Sequence, residues 1–401
     1  MLLELSGRHL QSLSVPSEGP FIGRICEDPH APEAARDREI LLLREASDTL
    51  PEGFRAYLLG GAGSYEGGGS NRRGGGASAG GAPRDMYRLG AAMRYLAHGD
   101  VVRIDPRRGA IAALYRRSSP SNSLLVTERC DNYCVMCSQP PKTHDDAWLL
   151  DELRAVVPLM APETKELGIT GGEPALLGDG LIELVRLLEQ HLPRTAVHIL
   201  SNGRRFSDLA FARSLGRVGH PDLMVGIPIY SDLPEEHDYV VQARGAFSQT
   251  LRGILNLKRC RVSVEIRFVV HAETYRRLPE LAHFLTRNLL FADHVAIMGL
   301  ELTGFARANL DTLWVDPLDY REQLGEAVHH LHRAGMNVSI YNLPLCVLDT
   351  SLHGFARKSI SDWKHTYFDV CDTCSAKTAC GGFFASSSLR RSRGIRPISL
   401  P

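Results

Sequence analysis

The chain has little of several things, and each shortage narrows what it can do. It carries no excess charge: 46 Lys and Arg stand against 46 Asp and Glu in 401 residues. A nucleic-acid or acidic-membrane surface usually needs a basic surplus, so neither is expected as the main partner. Lysine is scarce, with six in the whole chain, and the cations are almost all arginine. No apolar run approaches about 18 residues, so no membrane-spanning helix is expected. The opening Met1-Leu-Leu-Glu-Leu-Ser-Gly-Arg8 has no basic stretch and includes Glu4, which argues against a secretory signal. Nine cysteines in such a chain read as metal ligands rather than disulfides, and a reducing cytoplasm is the expected location. The rest of the composition, 44% hydrophobic and 23% charged, is globular, with length enough for two or three domains.

Seven of the cysteines fall in two groups, while Cys26 and Cys260 stand alone. Cys130, Cys134 and Cys137 form a CxxxCxxC triplet just after the apolar run Leu124-Leu-Val126. Three thiolates so close can hold three irons of a [4Fe-4S] cluster and leave the fourth iron open. An open position is what separates a chemical metal site from a structural one. A structural zinc knuckle is the alternative, and it needs a fourth ligand, for which His144 is nearest. The second group is Cys371-Asp-Thr-Cys374, Cys380 and the preceding Cys346. Four thiolates can complete either a fully ligated [4Fe-4S] cluster or a zinc site, and spacing does not decide between them.

Composition divides the chain. Residues 60–84 are low-complexity and Gly-rich, which predicts a flexible coil with a span of roughly 25 to 30 Å. Val101–Ile104 and Ala110–Tyr115 flank the turn sequence Asp105-Pro-Arg-Arg-Gly109 and predict a hairpin. Residues 1–120 therefore read as a small β-rich domain with a flexible insertion at 60–84. From 121 to 310 the chain alternates. Strands are predicted at 124–127, 166–170, 196–200, 223–229, 262–270 and 295–300, with helices near 151–160, 181–191, 208–215, 246–257 and 278–289. Six strands with intervening helices call for a parallel sheet with right-handed crossovers, either doubly wound or barrel-like. Residues 311–401 form an extension that carries the second cysteine group, and Arg390-Arg391-Ser-Arg393 reads as a solvated basic end.

Three motifs at predicted strand ends carry a family likeness. Cys130/Cys134/Cys137 resembles the signature of the radical S-adenosylmethionine (SAM) superfamily. Gly171-Gly172-Glu173-Pro174 resembles its GGEP motif, in which backbone and Glu hold the SAM amino group; physically, glycines allow close approach and Glu173 offers an ammonium acceptor. Ser201-Asn202-Gly203 is similar to the family's contact to the SAM ribose or carboxylate. Ile297-Met-Gly-Leu-Glu301 is loosely similar to the adenine-binding segment, with Val295 in place of a glycine and Glu301 one residue early. Met136 stands where the family usually has an aromatic residue; it can pack against adenine or simply fill space.

The resemblance implies an α/β fold: a partial (β/α)6 TIM-like barrel, a small β-rich N-terminal domain and a C-terminal auxiliary-cluster extension. It also implies a catalytic [4Fe-4S] cluster on Cys130, Cys134 and Cys137, with SAM held by Gly171, Gly172, Glu173, Pro174, Ser201, Asn202 and Ile297. An auxiliary [4Fe-4S] cluster on Cys346, Cys371, Cys374 and Cys380 is implied by similarity to peptide maturases. More narrowly, Cys130-Asp-Asn-Tyr-Cys-Val-Met-Cys-Ser-Gln-Pro-Pro-Lys142, Ile199-Leu-Ser-Asn-Gly-Arg204 and Met298-Gly-Leu-Glu-Leu-Thr-Gly-Phe-Ala306 resemble the His-Xaa-Ser system radical SAM maturases of the HxsC type. That likeness implies a ribosomal peptide substrate with His-Xaa-Ser repeats and a sister radical SAM protein; an electron donor is expected as well, and the charge balance leaves no nucleic acid and no membrane as expected partners. A radical SAM enzyme acting on a small molecule and a non-catalytic metal-binding scaffold are the rival readings.

Overall fold

A computed structural model of the chain describes residues 6–14, 19–44, 50–60, 85–358 and 366–399. Most of the glycine-rich stretch expected to be flexible, residues 61–84, lies outside the described residues. The chain forms two compact units: one runs to Asn122 and includes Asp151–Thr164, and the other joins Ser123–Leu150 to Lys165 and beyond.

The first unit is built on an eight-stranded mixed sheet. Its strands are β1 (Ser6–Gly7), β2 (Leu10–Ser12), β3 (Phe21–Cys26), β4 (Glu39–Leu43), β5 (Ala56–Leu59), β6 (Met86–Leu89), β7 (Val101–Asp105) and β8 (Ala110–Tyr115). The order is β1-β8-β7-β3-β4-β5-β6-β2. Period-two alternation decides which face each residue serves. Ile40, Leu42, Ala56, Leu58, Tyr87 and Leu89 join one core, while Leu41, Tyr57, Leu59 and Met86 join the other. The hairpin expected at 101–115 is present as antiparallel β7 and β8.

The second unit carries seven strands: β9 (Asn122–Leu125), β10 (Glu166–Thr170), β11 (Ala196–Leu200), β12 (Leu223–Pro228), β13 (Ser263–Val270), β14 (His294–Gly299) and β15 (Val338–Tyr341). They lie side by side in sequence order, and each pairing from β10 to β15 is parallel. A doubly wound sheet reverses its order at a switch point; this one never does, so it is the partial barrel. The sheet also runs past residue 310, where the sequence places the start of the extension. β15 escapes sequence reading because four residues, Val-Ser-Ile-Tyr, are too short to show a period.

The barrel strands are apolar and fully buried on one face, with Leu167, Ile169, Val197, Ile199, Val225, Ile227, Val264, Ile266 and Phe268. Amphipathic helices cover that face; Ala246–Arg259, for one, packs on β13. The other face is polar. Register places Gly226, Glu265 and His294 side by side on it, with Arg267 two residues further along β13. The C-terminal ends of β9, β10 and β11 open on the loops that carry the cysteine triplet, Gly171–Pro174 and Ser201–Gly203, where parallel barrels place their chemistry. Among the described residues, no helix is long and apolar enough to cross a membrane.

Candidate active site

The loop after β9 is anchored before it reaches its first cysteine. Asp146, fully buried, accepts hydrogen bonds from Thr127 Oγ1 (2.7 Å), the Glu128 amide (2.6 Å) and Arg129 Nε (2.9 Å). Burial opposes its charge, but these donors outweigh it and hold its carboxyl below the usual range. The end of β10 then comes against the same loop, the Gly172 and Glu173 amides donating to Thr127 O (2.8 Å) and Arg129 O (2.7 Å). A Cβ on Gly171 would sit 2.4 Å from Thr127 O, and one on Gly172 2.1 Å from Arg129 O. Both glycines are thus required by the close approach of two backbones.

Cys130, Cys134 and Cys137 sit beyond this junction. The Tyr133 and Val135 amides donate to Val241 O and Val240 O (3.0 and 2.9 Å), tying the loop to the helix Pro234–Val241. Phe305 N donates to Cys137 O (2.8 Å), and Asn309 Nδ2 to Val135 O (2.8 Å). Burial pushes the Cys130 thiol up to about 12 and Cys134 higher still, and the neighbouring thiols add to both shifts. Thiolates here need a cation to hold them. Among the described residues, no three or more Cys, His, Asp or Glu are placed to hold a single metal ion. His144, the nearest alternative ligand, instead lies 3.1 Å from Glu128. Three mutually sensing soft donors with no fourth suit a multinuclear iron-sulfur cluster with one position free.

Glu173 knots two of the predicted motifs together. It is 1% exposed; its Oε1 accepts from Ala175 N (2.9 Å) and Ser201 Oγ (2.7 Å), and its Oε2 from Asn202 N (2.6 Å). Burial raises its carboxyl to about 7 in spite of those donors. Asn202 Nδ2 in turn donates to Asp131 Oδ1 (2.7 Å), inside the cysteine loop. Pro174 is buried at the start of a short helical turn that Glu173 caps. The structure therefore brings Gly171, Gly172, Glu173, Pro174, Ser201 and Asn202 against the cysteine loop. Ile297 stands apart: it pairs with Phe268 and Ile340, and its side chain is buried on the sheet face opposite Arg267.

Several residues of the site were not singled out as site residues by the sequence, Arg204 among them although it ends the quoted run Ile199–Arg204. Arg204 Nη1 donates to Asp131 O (2.8 Å) and Asn132 Oδ1 (2.7 Å), and its Nε to Gln249 Oε1 (2.7 Å), bracing the cysteine loop from the end of β11. Tyr230 shares a buried cluster with Met136, Val240, Val241, Ala246, Ala306 and Leu313, which also touches Cys134. On the polar barrel face, Glu265 accepts from Arg267 Nη1 (2.6 Å) and lies 2.6 Å from His294 Nδ1; Arg267 Nη2 reaches Met298 Sδ (3.2 Å). Alternation in Ser263-Val-Glu-Ile-Arg-Phe was the available signal, since a parallel strand buried on both faces should be apolar throughout.

His271, just past β13, is fully buried, and among the described residues neither ring nitrogen has a hydrogen-bond partner. Burial pulls its imidazole down to about 4. Such a group costs about 1 to 3 kcal/mol, so His271→Leu is expected to raise stability. A folded value below that of the unfolded chain means stability is lost as pH falls from about 6.5 to about 4. The leucine variant's advantage should therefore grow by about 2 kcal/mol between about pH 7 and about pH 5. Denaturant unfolding at the two pH values checks this, and a leucine variant weaker than wild type at both would contradict it.

In the extension, Cys346 lies near Cys380 and Cys371, which add to the rise in its thiol that burial causes. Cys380 Sγ accepts from the Leu345 and Gly382 amides (both 3.4 Å), and Cys374 Sγ from Ile398 N (3.3 Å). The basic end is not free in solvent. Ser392, Arg393 and Arg390 are bonded to Asp316, Asp319 and Asp311.

Residues 124–285 match the Radical SAM superfamily. The chain is 30% identical over 145 residues to GTP 3′,8-cyclase of Petrotoga mobilis, covering 35% of this chain and 43% of that enzyme. It is 26% identical over 216 residues to PqqA peptide cyclase of Gluconobacter oxydans, covering 52% of this chain and 56% of that one. The crystal structure of Streptococcus suis SuiB bound to S-adenosylmethionine superposes with a TM-score of 0.45 at 15% identity, covering 56% of this chain and 51% of that one. The chain spans about half the length of the curated relatives it matches. The matched superfamily implies a [4Fe-4S] cluster and SAM, and the three cysteines and the Glu173 knot lie within the matched residues.

Proposed function

We propose that the chain is a radical SAM enzyme that modifies a ribosomally made peptide, as a maturase of the His-Xaa-Ser type with a sister radical SAM protein and an electron donor as partners. The observation that carries the reading is the meeting of Cys130, Cys134 and Cys137 with Glu173, Ser201 and Asn202, through Asn202 and Asp131. Cluster and SAM together supply reductive cleavage of SAM and hydrogen abstraction from the substrate. The chain's residues position and shield: Glu173, Ser201 and Asn202 orient SAM, Arg204 fixes the cysteine loop, and Met136 and Tyr230 exclude water. Cys346, Cys371, Cys374 and Cys380 hold an auxiliary [4Fe-4S] cluster. The likeness to a peptide cyclase supports a peptide substrate, whereas the likeness to a GTP cyclase is what a small-molecule substrate would predict.

Anaerobic reconstitution is expected to load about eight irons per chain, as two four-iron sites require. With SAM and a reductant, the loaded protein should release 5′-deoxyadenosine and change the mass of a peptide with His-Xaa-Ser repeats. Turnover of SAM with no such change in the peptide would remove the maturase assignment and leave the superfamily chemistry.

A further inference from the structure

The end of the described chain is fastened at one place and used at another. Asp316, 4% exposed, accepts from Leu318 N (3.0 Å), Ser392 Oγ (2.6 Å) and Arg393 N (2.9 Å). The Arg393 guanidinium pairs with Asp319, and Arg390 pairs with Asp311 (2.7 Å) while lying 5.5 Å over the Trp314 ring. Bonds from residues 390–393 to three carboxylates hold the segment against 311–319. The chain then turns to the cysteines. Ile398 N donates to Cys374 Sγ (3.3 Å), and Ile398 O accepts from Ser375 N (2.9 Å).

Donors to sulfur matter at a metal site because each thiolate brings a charge that the metal offsets only in part. Backbone N–H groups aimed at the sulfurs spread that charge, exclude water and tune the metal's potential. Cys380 receives two such donors from residues next to it in the same site, Leu345 and Gly382. Cys374 instead takes its donor from Ile398, in the segment that Asp316 holds. From this division we infer that residues 390–398 are a clasp for the metal at Cys346, Cys371, Cys374 and Cys380, with Asp316 as the residue that positions it. The inference rests on the reading of that group as a metal site.

Proline deletes a backbone N–H, and position 398 already follows Pro397, so Ile398→Pro removes the donor to Cys374 directly. Ile398→Ala keeps the donor and controls for the side chain, and Asp316→Asn loosens the latch instead of the donor. The measurement is release of metal from the reconstituted full-length chain to a chelator, with total metal counted beforehand. Ile398→Pro and Asp316→Asn are expected to lose the extension's metal about ten- to a hundredfold faster than wild type, the usual effect of removing a supporting contact around a metal ligand. Ile398→Ala should match wild type, and iron at Cys130, Cys134 and Cys137 should be retained in all three. If Ile398→Pro and Asp316→Asn release metal at the wild-type rate, the clasp is wrong and the metal site stands. If Cys374→Ala leaves the metal content of the chain unchanged, the metal site itself is wrong and the clasp falls with it.

Discussion

Cys134→Ala is expected to end the release of 5′-deoxyadenosine from SAM, and Cys130→Ala and Cys137→Ala to do the same. Each change removes one of three ligands from a site with no spare, since His144 is turned to Glu128. Cys134 is the strictest case. It sits in the buried cluster with Met136 and Tyr230, so its loss opens a gap that neighbouring apolar groups cannot fill with a donor. Removing a ligand from a site that pays for its thiolates through the metal also removes the metal. Iron should therefore fall by about half in each variant, with the second group still loaded, as two independent four-iron sites predict. Chromatography of the nucleoside products alongside iron analysis checks both points. Persistent 5′-deoxyadenosine in any of the three variants would overturn the placement of the catalytic cluster.

What the sequence made legible was whatever is local. The cysteine triplet, Gly171 to Pro174 and Ser201-Asn202 are short strings whose chemistry survives without a fold, and they fall where strands end. The central strands were equally open, because Glu166–Thr170 and Ala196–Leu200 carry a clean period-two pattern between amphipathic helices. The bracing role of Arg204, and Tyr230 and His271 altogether, were hidden for the opposite reason. Each acquires its meaning from the folded surroundings: Asp131 and Asn132 for Arg204, Cys134 and Met136 for Tyr230, and for His271 the lack, among the described residues, of any hydrogen-bond partner for its ring nitrogens. The basic end misled because composition reports charge but not what the charge meets, here the carboxylates of Asp311, Asp316 and Asp319.

Glu173→Gln separates the two tasks that the structure gives one carboxylate. Both oxygens accept from the protein, so a glutamine must turn its NH₂ toward a donor. The better orientation keeps Ala175 N and Ser201 Oγ on the amide oxygen and confronts the Asn202 amide with a second donor. Leaving that buried amide unpaired costs about 1 to 3 kcal/mol. Against this runs the burial that raises the carboxyl to about 7. A folded value above the ordinary one, 4.5, means that wild-type stability is fully present below about pH 4.5 and is lost as pH rises through about 7. Glutamine does not titrate, so the deficit of the variant should shrink by about 3 kcal/mol between about pH 4.5 and about pH 8. SAM binding should move the other way at neutral pH and above, where the variant lacks a negative charge for the SAM ammonium. A loss of about 1.5 to 3 kcal/mol in affinity is expected there, with iron content unchanged. Equilibrium binding and denaturant unfolding over the same pH range test the two effects on one protein. Unaltered SAM affinity together with the predicted change in stability would make Glu173 a tie between loops and nothing more.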